Sequence, residues 1–385
     1  MRLPADLHLR PGLRIALVAP PWYPVPPNGY GGIELVVYLL ALEFQRMGHR
    51  VTVFSTEGSS PDFEVEELAP AAWSADLGDP GIQRYRDAVY STRVYKRLRQ
   101  GDFDVIHEHT DAMGVALAYA LELSAPVLVT AHGPLQEPQV TFFKEVQDRL
   151  NLVAISRSQA DSAAELNWAG VVHNAVDVTS LAIGRNKRDR LFHLARVCPD
   201  KGQHRSIEVA QRMGLPLVLA GKLEKDAIGR AYFREKIEPH LGSGVTWIEN
   251  VQGIEKAELL ADSLAMLFPI QWEEPFGLAI AESMASGTPV VATRRGAVPE
   301  LIEEGETGFV VDDDIDAMIA GVEKAARINP QTCAVRARDR FSPERMAEGY
   351  ERVYLDAMGL TGLGDVVEVG ESPIPAIALP ALSVR

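Results

Sequence analysis

Short apolar, β-branched runs recur along this chain, spaced so that a helix fits between most neighbouring pairs. The first is Ile15-Ala16-Leu17-Val18-Ala19, followed by Val51-Thr52-Val53-Phe54, Val105-Ile106, Val127-Leu128-Val129-Thr130 and Leu152-Val153-Ala154-Ile155. These runs are continuous rather than alternating, so both faces of each strand meet apolar neighbours, as in a parallel sheet covered by helices on both sides. Helical periodicity fills the gaps over about residues 32–47, where Gly48 sits as the C-terminal stop, and over about 82–99. Strand alternating with helix predicts an α/β fold.

The pattern then restarts. Leu191-Phe192-His193-Leu194-Ala195, Leu217-Val218-Leu219-Ala220, Val245-Thr246-Trp247-Ile248, Ala265-Met266-Leu267-Phe268 and Val290-Val291-Ala292 form a second set of strands. Between the two sets, the polar and basic stretch 177–190 reads as a linker. Ser342-Pro343-Glu344 offers an N-cap followed by an N1 proline, opening a last helix over 343–358. The expected layout is two doubly wound domains, residues 1–178 and 190–341, with an irregular tail at 359–385. Their strand ends would face each other across a cleft, the usual ligand position in such sheets.

Composition narrows the function. The 385 residues carry a net charge of −15, which argues against a nucleic-acid binder that works by neutralising phosphates. A local basic pocket remains compatible with that balance. Cys198 and Cys333 are too few and too scattered for a disulfide framework, and no run reaches the ~18 apolar residues of a membrane span. Residues 1–11 lack the apolar core of a signal peptide. A cytoplasmic protein with at most peripheral membrane contact is expected. No G-x-G-x-x-G follows the first strand, which weakens a dinucleotide dehydrogenase reading.

The densest chemistry lies in Trp272-Glu273-Glu274-Pro275-Phe276-Gly277-Leu278, which passes from a strand end through a turn into a helix carrying Glu282. Gly277 would open that helix, where free backbone N–H groups and the positive dipole end attract anions such as phosphate. Glu274 and Glu282 on either side would accept hydrogen bonds from sugar hydroxyls. A bare pair of Glu at this spacing is also what any surface helix supplies. Arg196 and Lys201 follow a strand end in Ala195-Arg196-Val197-Cys198-Pro199-Asp200-Lys201-Gly202, placed to stabilise a departing diphosphate unless they are plain surface charges. Gly31 and Gly32, in Asn28-Gly29-Tyr30-Gly31-Gly32, would let backbone approach a ligand closely, with Trp22, Tyr23 and Tyr30 available to stack on a sugar or to pack. His132 closes the strand before Gly133, and His107 and His109 point one way from another strand end without an evident third metal ligand. Asp312-Asp313-Asp314 is accounted for by helix capping rather than by metal binding.

Glu274-Pro275-Phe276-Gly277-Leu278 leading to Glu282, with Gly287-Thr288-Pro289-Val290-Val291-Ala292 after it, resembles the signature of retaining GT-B glycosyltransferases of family 4. Arg196 with Lys201-Gly202, the Gly31-Gly32 loop and the His132-Gly133 step are similar to that family's pattern as well. Asn174-Ala175-Val176-Asp177 resembles its Asn-Gly-Val-Asp at the domain junction, with Ala175 replacing Gly. The resemblance spans residues 14–358. It implies two Rossmann-like domains, with the last helix crossing back to the first. It also implies that Glu274 contacts the donor sugar and Glu282 the ribose, with Phe276 in the same stretch and the amides of Gly277 and Leu278 on the distal phosphate. His132 would lie beside the reacting carbon, and the Gly31-Gly32 loop near the diphosphate. The activity implied is metal-independent, retaining transfer of a hexosyl unit from a nucleoside diphosphate sugar to a sugar, lipid or small-molecule acceptor, with no further cofactor. An epimerase or sugar-phosphate synthase on the same fold, and a catalytically silent nucleotide-sugar-binding protein, are the alternatives.

Overall fold

The computed structural model describes residues 12–360, apart from 111, 185, 186 and 225, together with a two-residue strand at Val367–Glu368. In the first domain, β1 (Arg14–Val18), α1 (Gly32–Arg46), β2 (Arg50–Thr56) and β3 (Glu64–Ala69) lead to α2 (Pro80–Leu98). Then come β4 (Val105–Glu108), α3 (Ala112–Ala120), β5 (Val127–Ala131), α4 (Glu137–Val146), β6 (Asn151–Ala154), α5 (Arg157–Ser162) and β7 (Trp168–Val171). The second domain runs β8 (Arg188–Leu194), α6 (Gln203–Met213), β9 (Leu217–Ala220), α7 (Ala227–Tyr232), β10 (Val245–Ile248), α8 (Gly253–Asp262) and β11 (Ser263–Phe268). It continues with α9 (Leu278–Ala285), β12 (Val290–Thr293), α10 (Val298–Leu301), β13 (Gly308–Val311), α11 (Ile315–Ala325) and α12 (Pro330–Phe341), before α13 (Pro343–Ala357) and β14 (Val367–Glu368).

Both sheets are parallel in every pairing. The strand orders are β14-β7-β6-β5-β4-β1-β2-β3 and β10-β9-β8-β11-β12-β13. Each order reverses at a central pair, β1/β4 and β8/β11, and the crevice at such a reversal is where doubly wound sheets bind ligands. The two-residue period of a strand divides the core into layers. Ile15 and Leu17 pack with Val37, Leu40 and Phe44 of α1, while Ala16 and Val18 pack with Tyr90, Val94 and Tyr95 of α2. In the second domain, Met266 and Phe268 meet α9 and α12, and Ala265 and Leu267 meet α6 and α11.

The α/β class, the two GT-B-like domains and the returning helix agree with expectation. Ser342 caps α13 by accepting from the Arg345 N–H, and α13 packs on α1 through fully buried Tyr350 and Tyr354. Two details differ, and the choice left open for Trp22 is decided. The stretch 177–190 does not span freely, because β8 already begins at Arg188. Leu181 lies in the second domain's core, and Lys187 Nζ reaches Ala261 O and Thr288 Oγ1, both at 2.6 Å. The Lys187 ammonium is thus satisfied by that domain. The tail, expected to be irregular, contributes β14 at the edge of the first sheet; its other residues beyond 360 and the first eleven residues lie outside those described. Trp22 is 8 % exposed and belongs to the packing of its loop rather than to a stacking surface.

The domains also meet at Glu300 of α10. Its carboxylate accepts from the Arg157 and Ser158 amides at 2.9 and 3.2 Å, and lies 2.5 Å from His173 Nε2. Burial alone would raise this carboxyl's pKa; the bonds from His173 and the two amides outweigh it and hold the pKa below the usual range. The stabilisation is therefore present above the unfolded-state value of ~4.3 and lost as pH falls through the lower folded value. Glu300→Gln should lower the melting temperature by an amount that is steady above about pH 5 and shrinks below about pH 4. Thermal melts of both proteins across that range check this, and a gap independent of pH would contradict it.

A candidate active site in the interdomain cleft

A cavity of ≈ 330 Å³ opens between the two sheets, at the carboxyl ends of their strands. Each strand end delivers one part of the wall. After β1, the loop turns into α1 at Gly31, whose φ of 150° and the Pro27 side chain, 2.6 Å from where a Cβ would stand, leave room only for glycine. After β5 comes His132, and after β8 come Arg196 and Lys201. After β11 come Trp272, Glu274 and Phe276, with Gly277 as the N-cap of α9 at φ 103°. Gly277, Leu278 and Ala279 line the cavity, and first-turn amides have no partner inside their own helix. The helix start therefore presents N–H groups and its positive dipole end to the cavity.

The charged groups occupy fixed positions. Lys201 is 7 % exposed; its Nζ lies 2.6 Å from Glu274 Oε2 and 4.4 Å from the Trp272 ring centre. Trp272 Nε1 donates to the same carboxylate oxygen at 3.0 Å. Glu274 is thus held by two donors with one oxygen engaged, leaving the other available to a ligand. Arg196 pairs with Glu224; burial works against the guanidinium charge, but Tyr30 and Glu224 outweigh it and its pKa rises. His132 is pushed down to about 4 by burial and is neutral at physiological pH. Burial also pushes the Cys198 thiol up, so it is no activated thiolate.

A second cavity of ≈ 210 Å³ adjoins the first, sharing Tyr30, Gly32, Arg196, Leu278 and Ala279 with it. Glu282 faces this one, with its Oε1 2.6 Å from Lys256 Nζ. The ten residues singled out from sequence therefore line two joined compartments: Gly32, Arg196 and Leu278 line both, and Gly31 and Glu282 only the second. Sequence reasoning missed several neighbours. Lys256, from α8, and Glu224, from the loop after β9, each neutralise a predicted residue. Glu34, one turn into α1, is buried beside Gly31 and pushed up to about 7 by that burial; its place in Gly31-Gly32-Ile33-Glu34 was the available signal. Asn174 lines the cavity with a buried Oδ1 that has no partner among the described residues. Asp314 does cap α11, accepting from the Ala317 N–H, and Asp313 pairs with Arg205.

Residues 30–180 match the family model for glycosyltransferase family 4, and residues 182–340 match that for glycosyl transferases group 1. The chain belongs to glycosyltransferase family 4. It is 27 % identical over 362 residues to the MMP alpha-(1->4)-mannosyltransferase of Mycolicibacterium hassiacum, covering 75 % of this chain and 84 % of that one. Among solved structures, it resembles AviGT4, a glycosyltransferase involved in avilamycin A biosynthesis, with a TM-score of 0.70 at 24 % identity over 90 % of this chain and 98 % of that one. HepE of Anabaena, in complex with UDP and glucose, superposes with a TM-score of 0.68 at 16 % identity, covering 88 % and 98 %. The fold of this glycosyltransferase is accordingly GT-B.

The turn at Gly277 is a second backbone position in this glycosyltransferase site that favours glycine. A Cβ there would stand 3.1 Å from Ile280 Cδ1 in a left-handed conformation that costs an L-residue ~1–2 kcal/mol. Gly277→Ala should destabilise the protein by about that amount, measured by denaturant unfolding. An unchanged transition midpoint would mean that the turn relaxes without strain.

Proposed function

We propose that this glycosyltransferase moves a hexosyl unit from a nucleoside diphosphate sugar to an acceptor, with retention at the anomeric carbon and without a metal ion. The observation that carries the reading is the convergence of Arg196, Lys201 and the N-terminus of α9 on one cavity. Departure of a nucleoside diphosphate leaves negative charge on the leaving oxygen. Fixed cations and helix-end amides in a site shielded from water stabilise that charge, the task a metal ion performs elsewhere. Glu274, with one oxygen held by Lys201 and Trp272, is oriented to accept from a sugar hydroxyl. Glu282 in the adjoining compartment would accept from the ribose diol. The complex of HepE with UDP and glucose, and the mannosyl activity in the name of the M. hassiacum relative, support a nucleotide donor and a hexosyl unit.

Retention is supported by what lines the reacting space. Glu274 is the one carboxylate among the described residues around the 330 Å³ cavity, and it is tied into the second-domain wall. His132, on the other wall, is a weak base. An acceptor hydroxyl attacking from the leaving-group side would pass its proton to the departing phosphate oxygen, with no enzyme nucleophile required.

Lys201→Ala and Arg196→Ala should each lower kcat, on the order of a hundredfold where the cation acts chiefly in the transition state, with a smaller change in donor KM. Steady-state kinetics check this, and unchanged turnover in both variants would sink the assignment. A thermal-shift panel of UDP-, GDP- and ADP-sugars should find a stabilising donor by mass action. With that donor, the product's anomeric configuration should match the donor's and turnover should survive a chelator. An inverted anomer, or a chelator-sensitive rate restored by a divalent ion, would overturn the mechanism.

A further inference from the structure

Behind His132 lies a buried chain of hydrogen bonds and one ring contact that the transfer reaction as described does not use. His132 Nε2 is 2.9 Å from His109 Nδ1, and the two rings lie nearly parallel at 28°. His109, 1 % exposed, packs with its ring centre 3.9 Å from that of fully buried His107. His107 in turn is held on both nitrogens: Nδ1 is 2.7 Å from Tyr354 Oη and Nε2 is 2.7 Å from Thr130 Oγ1. Thr130 Oγ1 also meets Tyr350 Oη at 3.0 Å. The last helix, α13, thus braces His107, which packs on His109, which bonds His132. Burial pushes the pKa of all three histidines down, so each ring carries a single proton.

That single proton makes the His109–His132 bond decide a tautomer. One of the two facing nitrogens donates and the other accepts. If His132 Nε2 donated, His109 would carry its proton on Nε2. That atom is buried and has no partner among the described residues, so an N–H would be orphaned. If His109 Nδ1 donates, Nε2 is left as a bare lone pair, a less costly defect than an unpaired buried N–H. The second arrangement makes His132 Nε2 the acceptor and puts the His132 proton on Nδ1. We propose that His109 is a positioning residue that locks His132 in this tautomer, so that His132 offers the cleft an N–H donor rather than a basic nitrogen. The partner class is a sugar oxygen of the donor, and this part rests on the donor reading given above; the tautomer itself does not.

The direct test is the long-range 15N–1H spectrum of histidine-labelled protein, with the His132 signals assigned by their loss in His132→Ala. A protonated Nδ1 and bare Nε2 on His132 are expected in the wild type, and the opposite pattern would overturn the proposal whether or not a donor has been found. With an active donor in hand, His109→Leu should lower kcat roughly tenfold or more with little change in acceptor KM. His109→Asn, whose amide N–H reaches the position of Nδ1, should restore most of that loss. Equal loss in both variants while each remains folded by circular dichroism would reduce His109 to packing and overturn its positioning role.

Discussion

The helix that returns from the second domain is the constraint on which the cleft depends. Met346, Ala347, Tyr350, Val353 and Tyr354 of α13 are part of the same core as Val37, Leu40 and Phe44 of α1, although the chain reaches α13 only after building the whole second sheet. Removing either tyrosine ring from that core would cost about 3–5 kcal/mol, a large share of a typical domain's net stability. The chain therefore crosses between domains twice, near residue 176 and near residue 342. The two crossings are tied together where the Val176 N–H donates to Phe341 O at 2.9 Å. Two adjacent covalent crossings restrict relative motion far more than one linker, which keeps Gly32 and His132 opposite Gly277 and Lys201 across the cleft.

How much of this was legible in the sequence follows from the range of each interaction. The turn from Glu274 to Gly277, the helix start behind it and the strand-end positions of Arg196, Lys201 and His132 are local features, set by residues within a few positions of each other. The structure puts each of them at the strand end or helix start that the local pattern indicated. The edge strand β3, Glu-Val-Glu-Glu-Leu-Ala over residues 64–69, escaped because it is half solvated and lacks the continuous apolar run of the inner strands. The stretch 177–190 misled because composition reports polarity, not whether polar atoms meet water or, as with Lys187, buried protein acceptors. Pairings such as Lys256 with Glu282 and His109 with His132 join residues 26 and 23 positions apart through the fold. No local pattern encodes them.

Those pairings also set the electrostatics of the cleft. A charge withdrawn from water is tolerated when another offsets it. Here Lys201 is matched by Glu274, Lys256 by Glu282 and Arg196 by Glu224, inside a molecule of net charge −15. With Lys222 over the Tyr30 ring as a further cation of the second compartment, the cleft carries little net positive charge, and a diphosphate would approach without a strong long-range field to steer it. What would distinguish such a ligand from any other anion is short-range. On the proposed reading, it would meet the amides at Gly277 and Leu278 and compete with Glu224 for Arg196, while its sugar and ribose hydroxyls would donate to Glu274 and Glu282. On that reading, two of the three carboxylates that neutralise these cations, Glu274 and Glu282, would also serve as acceptors for hydroxyls. Pairing the cations this way would exchange speed of capture for selectivity, since an anion lacking the hydroxyls would gain only part of the contacts it must displace.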